Sequence, residues 1–257
     1  MNTARARCGL GAAAALLLAS CAAPSLRPAG PSADDPGAVA ALLAATPHCR
    51  PLRTATAEIR LSGRVGTERV RARLLAGFAE PSSVRLEALA PFGPPALILA
   101  SDGRTDTLLF PRERQVLRGA PVSDVLDAIT GLPLDAAELR EVLLGCLAGP
   151  TGRGLRYGDA WQEVVDGEAR VFLRRGIVVA ATYRGWQVDY AAPLGGIARR
   201  VRVRRQPSTP LIDLVAELSD VETNVPLDAA AFEVAVPPDA TPIGLDDLRR
   251  ASPLSAR

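Results

Sequence analysis

The chain of 257 residues has no lysine; all 30 of its basic residues are arginine. Residues 149–154 are glycine-rich, but without the lysine of a phosphate-binding loop they read as an ordinary connection. Histidine is nearly absent too. His48 is the sole one, so a Ser-His-Asp triad or a histidine-based metal site would have to be built around that one residue, at an expected helix end beside Cys49. Carboxylates are plentiful, yet spacing singles out no pair. With no catalytic residue, metal site or cofactor site to name, the chain is expected not to be an enzyme. After the N-terminal region no apolar run reaches the ~20 residues that a spanning helix needs. No C-x-x-C pair occurs, which removes the dithiol redox motif. A charge excess is missing as well: setting aside residues 1–20 removes Arg5 and Arg7 and leaves 28 arginines against 28 acidic residues. A formally neutral chain has no general attraction for nucleic acid and no strong one for an anionic surface.

What is present begins at the N-terminus. Arg5 and Arg7 make a positive leader, and the apolar run 9–19 is too short to cross a bilayer, so 1–20 reads as a signal peptide. The run ends in Leu18-Ala19-Ser20-Cys21, which resembles a lipobox. That resemblance implies cleavage before Cys21 and acylation of its thiol. Ala22, in place of an aspartate, implies sorting to the outer membrane, on its periplasmic face. The other reading of the same run is an ordinary secretory signal cut elsewhere. Residues 22–37 carry four prolines and no apolar periodicity, so 21–35 is expected to be a disordered tether and 36–257 a single soluble domain.

Cys8 leaves with the signal peptide and Cys21 is taken by lipid, so the mature fold keeps two thiols, Cys49 and Cys146. In an oxidising compartment such a pair is expected to form a disulfide; the alternative is two buried free cysteines.

Most of the domain alternates as strands do. Ala55, Ala57, Ile59 and Leu61 alternate with Thr56, Glu58, Arg60 and Ser62, and Val70, Ala72, Leu74, Ala76 and Phe78 recur at every second position. Further strands are expected at 84–90, 96–101, 106–110, 115–119, 155–161, 169–174, 177–183, 186–190, 197–204 and 211–219. Three helices are expected: an apolar one over 36–45, a second capped by Ser123 and ending at Gly131, and a third opened by Asp135 with Glu138 and ending near Gly145. The expected fold is α+β and mainly β. A sheet with one apolar face must cover that face.

Residues 84–145 resemble the outer-membrane lipoprotein receptor family LolB. The resemblance rests on Arg85-Leu86-Glu87, Ala90-Pro91-Phe92-Gly93, Ile129-Thr130-Gly131-Leu132-Pro133-Leu134, Glu138-Leu139-Arg140 and Leu143-Leu144-Gly145. Residues 225–238, with Phe232-Glu233-Val234-Ala235-Val236-Pro237, look more like the end of the related carrier LolA. The strands read above number about eleven to twelve, and the resemblance implies that they form an unclosed barrel, a curved antiparallel sheet lidded by helices. It also implies a cavity for lipid or lipoprotein acyl chains, and exchange with a periplasmic carrier protein.

Small inward residues such as Ala55, Ala57, Ala72, Ala76 and Ala88 point independently to a roomy core, as do the few aromatics (two Trp, three Tyr, five Phe). The competing reading is a packed core written in an alanine-rich coding bias. Expected cavity residues are Ala57, Ile59, Ala72, Leu74, Leu86 and Ala88. Phe92, amid prolines in the loop Ala90-Pro91-Phe92-Gly93-Pro94-Pro95, takes the place of the apolar LolB residue implicated in delivery to the bilayer; the plain alternative is a side chain folded back on the sheet. Arg199, Arg200, Arg202, Arg204 and Arg205, interleaved with Val201 and Val203, read as a solvated outer strand face; the alternative is a lipid-headgroup site. Two functional classes follow: a membrane-anchored lipoprotein that binds and transfers acyl chains, or an assembly lipoprotein using the same fold to dock a partner protein.

Overall fold

The computed structural model describes residues 27–205 and 211–251. The expected signal peptide and Cys21 lie outside the described residues. The chain begins with a two-residue strand β1 (Ala33–Asp34) and helix α1 (Gly37–Ala45). A meander follows: β2 (Thr54–Val65), β3 (Glu68–Ala79), β4 (Ser83–Leu89), β5 (Leu97–Ser101), β6 (Asp106–Phe110) and β7 (Gln115–Arg118). Two helices, α2 (Val122–Thr130) and α3 (Ala136–Leu144), separate it from a second meander. That one runs through β8 (Arg153–Tyr157), β9 (Trp161–Asp166), β10 (Ala169–Arg174), β11 (Ile177–Tyr183), β12 (Trp186–Leu194), β13 (Ile197–Arg205) and β14 (Ile212–Thr223). A short 3-10 turn (Ala229–Phe232), β15 (Thr241–Pro242) and α4 (Leu245–Ala251) complete it.

Among the described residues all of the strands belong to one unclosed, curved sheet of 15 strands, ordered β1-β8-β9-β10-β11-β12-β13-β14-β2-β3-β4-β5-β6-β7-β15. The last long strand, β14, pairs antiparallel with the first, β2, from Ile212↔Val65 to Thr223↔Ala55, and so welds the two meanders together. Period-two alternation dictates which side chains turn inward. Ala55, Ala57 and Ile59 are buried while Arg60 is exposed, and opposite them Phe78, Ala76 and Leu74 share the concave face. Helices α2 and α3 cover that face with Val125, Leu126, Val142 and Leu143, which join the sheet residues in a single core.

Several expectations change. The strand expected at 155–161 is a hairpin, β8 and β9, because Gly158 turns the chain with φ +55°. Ser123 does not cap α2: the helix begins at Val122 behind Pro121, with no side-chain cap. The eleven to twelve expected strands become fifteen among the described residues, twelve of them matching the ranges expected above and the others being β1, β9 and β15. The stretch expected to be a disordered tether through residue 35 is in part ordered: Ala33 and Asp34 pair with Arg156 and Leu155, and Gln162 donates to the Asp35 carboxylate at 2.9 Å. Helix α3 does carry its expected start, a capping box between Asp135 and Glu138.

Both ends of the described chain lie along the sheet. Near the C-terminus, Arg85 on the convex face of β4 donates to the carbonyls of Ala231 and Glu233 at 3.0 and 2.9 Å. The buried Phe232 packs over Gly77, where a side chain would meet its ring.

Candidate functional site

Between the concave sheet and helices α2 and α3 lies a cavity of about 90 Å³. The sheet contributes Ile59, Leu61, Leu74, Leu86, Val201 and Leu214, and the helical side contributes Leu126, Leu132, Leu139, Val142 and Leu143. Its one hydroxyl, on Thr130, donates to the Leu126 carbonyl at 2.7 Å within its own helix, so the wall offers an apolar ligand no competing polar group. Leu139, Val142 and Leu143 face it because residues three and four apart share one side of a helix.

Of the residues expected from the sequence, Ile59, Leu74 and Leu86 line the cavity. Ala57, Ala72 and Ala88 do not: they lie on the same sheet face but outside the lining, a correction to the expected set. The reason is three-dimensional. The wall is completed by longer side chains from the helical side, Leu126, Leu132, Leu139 and Leu143. Leu61, Leu126, Leu132 and Leu139 were missed, although the alternation of β2 continued to Leu61 and the i, i+3, i+4 pattern of α3 included Leu139.

Helix α3 is held at both ends. At its start, Glu138 accepts from the Asp135 N–H at 2.9 Å, from Arg184 at 2.9 Å and from the Tyr183 hydroxyl. Burial alone would raise the Glu138 carboxyl, but the hydrogen bonds from Tyr183, Asp135 and Arg184 outweigh it and hold the group below the ordinary carboxylate range. Tyr183 is pushed up to about 12, first by burial and then by donating to that carboxylate. At the other end Cys146 is bonded to Cys49, with Cα atoms 5.5 Å apart. There His48 Nε2 donates to the Leu144 carbonyl at 2.9 Å, and Tyr190 donates to the Val142 carbonyl at 3.0 Å. Burial lowers the His48 pKa. The donor atoms of His48, Cys49 and Cys146 cluster within 4.8 Å, but both sulfurs are committed to the disulfide.

The loop carrying Phe92 leaves the sheet at the cavity end of β4, where Leu74 stands opposite Ala88 and Arg73 opposite Leu89. Phe92 is 87% exposed, so its ring does not fold back on the sheet. Gly93 turns the tip with φ +77°, and Arg112 braces it by donating to the carbonyls of Phe92 and Pro94. At the opposite end of the sheet, a second concavity of about 260 Å³ lies among Thr46, Gly145, Ile177, Tyr190 and Pro193.

The arginines of β13 divide by face. Val201 and Val203 enter the core, while Arg200, Arg202 and Arg204 pair with Glu217, Asp213 and Asp189 on the convex side. Arg205 lies over the Trp186 ring at 5.2 Å.

No protein-family model matches the sequence, and no curated protein matches it. Among solved structures the chain is similar to a DUF1329 family protein from Desulfovibrio piger, with a TM-score of 0.51 and 13% identity over 78% of this chain and 98% of that one. It is also similar to a LolA superfamily protein from Nitrosomonas europaea, with a TM-score of 0.50 and 12% identity over 76% of this chain and 97% of that one. At these identities the likeness is one of fold: an unclosed, curved antiparallel sheet lidded by helices.

Proposed function

We propose that this is a LolB-like lipoprotein, acylated on Cys21 and anchored on the periplasmic face of the outer membrane, that binds acyl chains of lipids or lipoproteins and passes them to the bilayer. One observation carries the reading. A cavity whose only hydroxyl is bonded within its own helix, roofed by two helices, lies at the end of the sheet from which the exposed Phe92 projects. Each methylene entering such a space gains ~0.8 kcal/mol. The protein would act by differential affinity and not by chemistry, taking cargo from a periplasmic carrier and releasing it where Phe92 meets lipid tails.

The volume sets the mechanism. At about 90 Å³ the cavity is smaller than the ~150 Å³ that accepts a benzene molecule in a protein core. Capture of an acyl chain therefore requires the roof of α2 and α3 to lift, the ligand replacing their leucines against the sheet. The same small volume favours a second reading, an assembly lipoprotein whose cavity stays packed and whose surface docks a partner protein.

Native mass spectrometry of the purified protein, followed by transfer from a loaded donor to liposomes, separates the two. Copurifying lipid in addition to the anchor, and delivery to liposomes, support acyl-chain transfer. An empty protein that takes up no lipid from a loaded donor favours the assembly reading.

A further inference from the structure

Asp189, Arg202, Val215, Ser62 and Arg71 stand opposite one another on the consecutive strands β12, β13, β14, β2 and β3. Residues paired in register point to the same face of a sheet. Here it is the convex face, because the alternating neighbours Val188, Val201, Val203 and Leu214 fill the core. A groove of about 440 Å³ follows this row, lined by Arg64, Arg69, Arg71, Arg200 and Arg202, with Asp213 as its only acid. Arg202 occupies Asp213 and Arg200 is paired with Glu217. Arg64, Arg69 and Arg71 have no acidic partner among the described residues. Like charges gathered in this way repel one another and raise the local concentration of anions.

A separate observation says which anions come near. Asp189, at the end of the row, accepts a hydrogen bond from Arg27 at 3.3 Å, and Arg27 also donates to the Ala181 carbonyl at 3.1 Å. The N-terminal segment is thereby pinned to the same face as the groove. Cys21 precedes Arg27 by six positions, a length that spans ~20 Å at most. Strand spacing of ~4.8 Å puts Arg71, four strands along, at about the same distance from Asp189. An acyl group on Cys21 thus holds the bilayer surface within reach of the groove.

We propose that the arginine row on the convex face docks on the phosphate groups of the membrane to which the protein is anchored. The inference rests on acylation of Cys21. It orients the molecule: the sheet lies with its convex face toward the headgroups, and the Phe92 loop, which begins beyond Leu89 opposite Arg73, meets the bilayer at the rim of the same face.

The test uses the full acylated protein in vesicles of phosphatidylethanolamine and phosphatidylglycerol containing a headgroup-attached quencher. A fluorophore is placed by Ser62→Cys within the row or, as a control, by Asp159→Cys on the β8–β9 turn at the far end of the sheet. With Cys21 acylated and Cys49 and Cys146 joined, the introduced thiol is the one that reacts. The expected result is strong quenching at position 62 and little at 159. Arg64→Glu, Arg69→Glu and Arg71→Glu together should lower the docked population about a hundred-fold. High salt should release it too.

Equal quenching at both positions in an acylated protein overturns the docking and leaves the anchor standing, as does a triple variant that is quenched like the parent. A chain whose Cys21 carries no acyl group in mass spectrometry and which does not float with vesicles fails at the earlier step, and the docking falls with it.

Discussion

At the scale of single residues, the exposed ring of Phe92 and the buried wall of the cavity are separate devices. A charge at position 92 opposes burial among lipid tails but touches nothing in the cavity. Phe92→Glu is therefore expected to leave lipid uptake unchanged and to slow delivery to liposomes by at least about ten-fold, measured as transfer from a loaded donor; delivery at the parent rate removes the wedge role. Leu139→Phe has the opposite signature. The larger ring occupies ligand space, at an overpacking cost of ~1–3 kcal/mol, so uptake falls first. Denaturant unfolding of the variant separates lost capacity from lost fold.

At the scale of elements, α3 is a helix clamped at both ends, and each clamp has its own signature. The disulfide closes a sequence separation of 97 residues, for which restriction of the unfolded chain contributes about 4–5 kcal/mol. Cys146→Ser should lower the denaturant midpoint correspondingly while the Asp135 capping box persists.

The Glu138 clamp is pH-dependent. Its carboxyl is held below the ordinary range in the fold, so the stabilisation is present above the unfolded value of ~4.3 and is lost as pH falls through the lowered folded value. Glu138→Gln should melt earlier than the parent near neutral pH and converge with it in strong acid. A constant difference at all pH values contradicts that linkage.

At the scale of the whole molecule, the N-terminal segment matters because it decides where an anchor sits. Gly154 has no room for a side chain: a Cβ there would lie 2.0 Å from the Asp35 carbonyl oxygen and 2.8 Å from the Ala38 Cβ. Gly154→Ala should push α1 and β1 off β8, breaking the bond from the Asp35 N–H to the Gly154 carbonyl at 3.0 Å. Faster amide exchange over residues 33–45, with the β2–β7 meander still protected, is the expected readout. Cys21→Ala should abolish acylation and membrane attachment together; recovery of acylated protein from that variant contradicts the anchor.

The sequence by itself determined the local architecture. Period-two alternation assigned Ala55, Ala57, Ile59 and Leu61 to one side of a strand, the Asp135–Glu138 pair opened a helix, and glycines closed most of the turns. These signals act between residues a few positions apart, so they are written in consecutive letters. Only the tertiary structure decided the rest. Alternation sets a face but neither register nor curvature, so nothing local joined β14 to β2 or drew Arg64, Arg71 and Arg202 into one groove. For the same reason the cavity wall was half legible: Ile59, Leu74 and Leu86 could be read from their strands, whereas the exclusion of Ala57, Ala72 and Ala88 depended on where α2 and α3 set their leucines. That placement is fixed by packing between segments far apart in the chain.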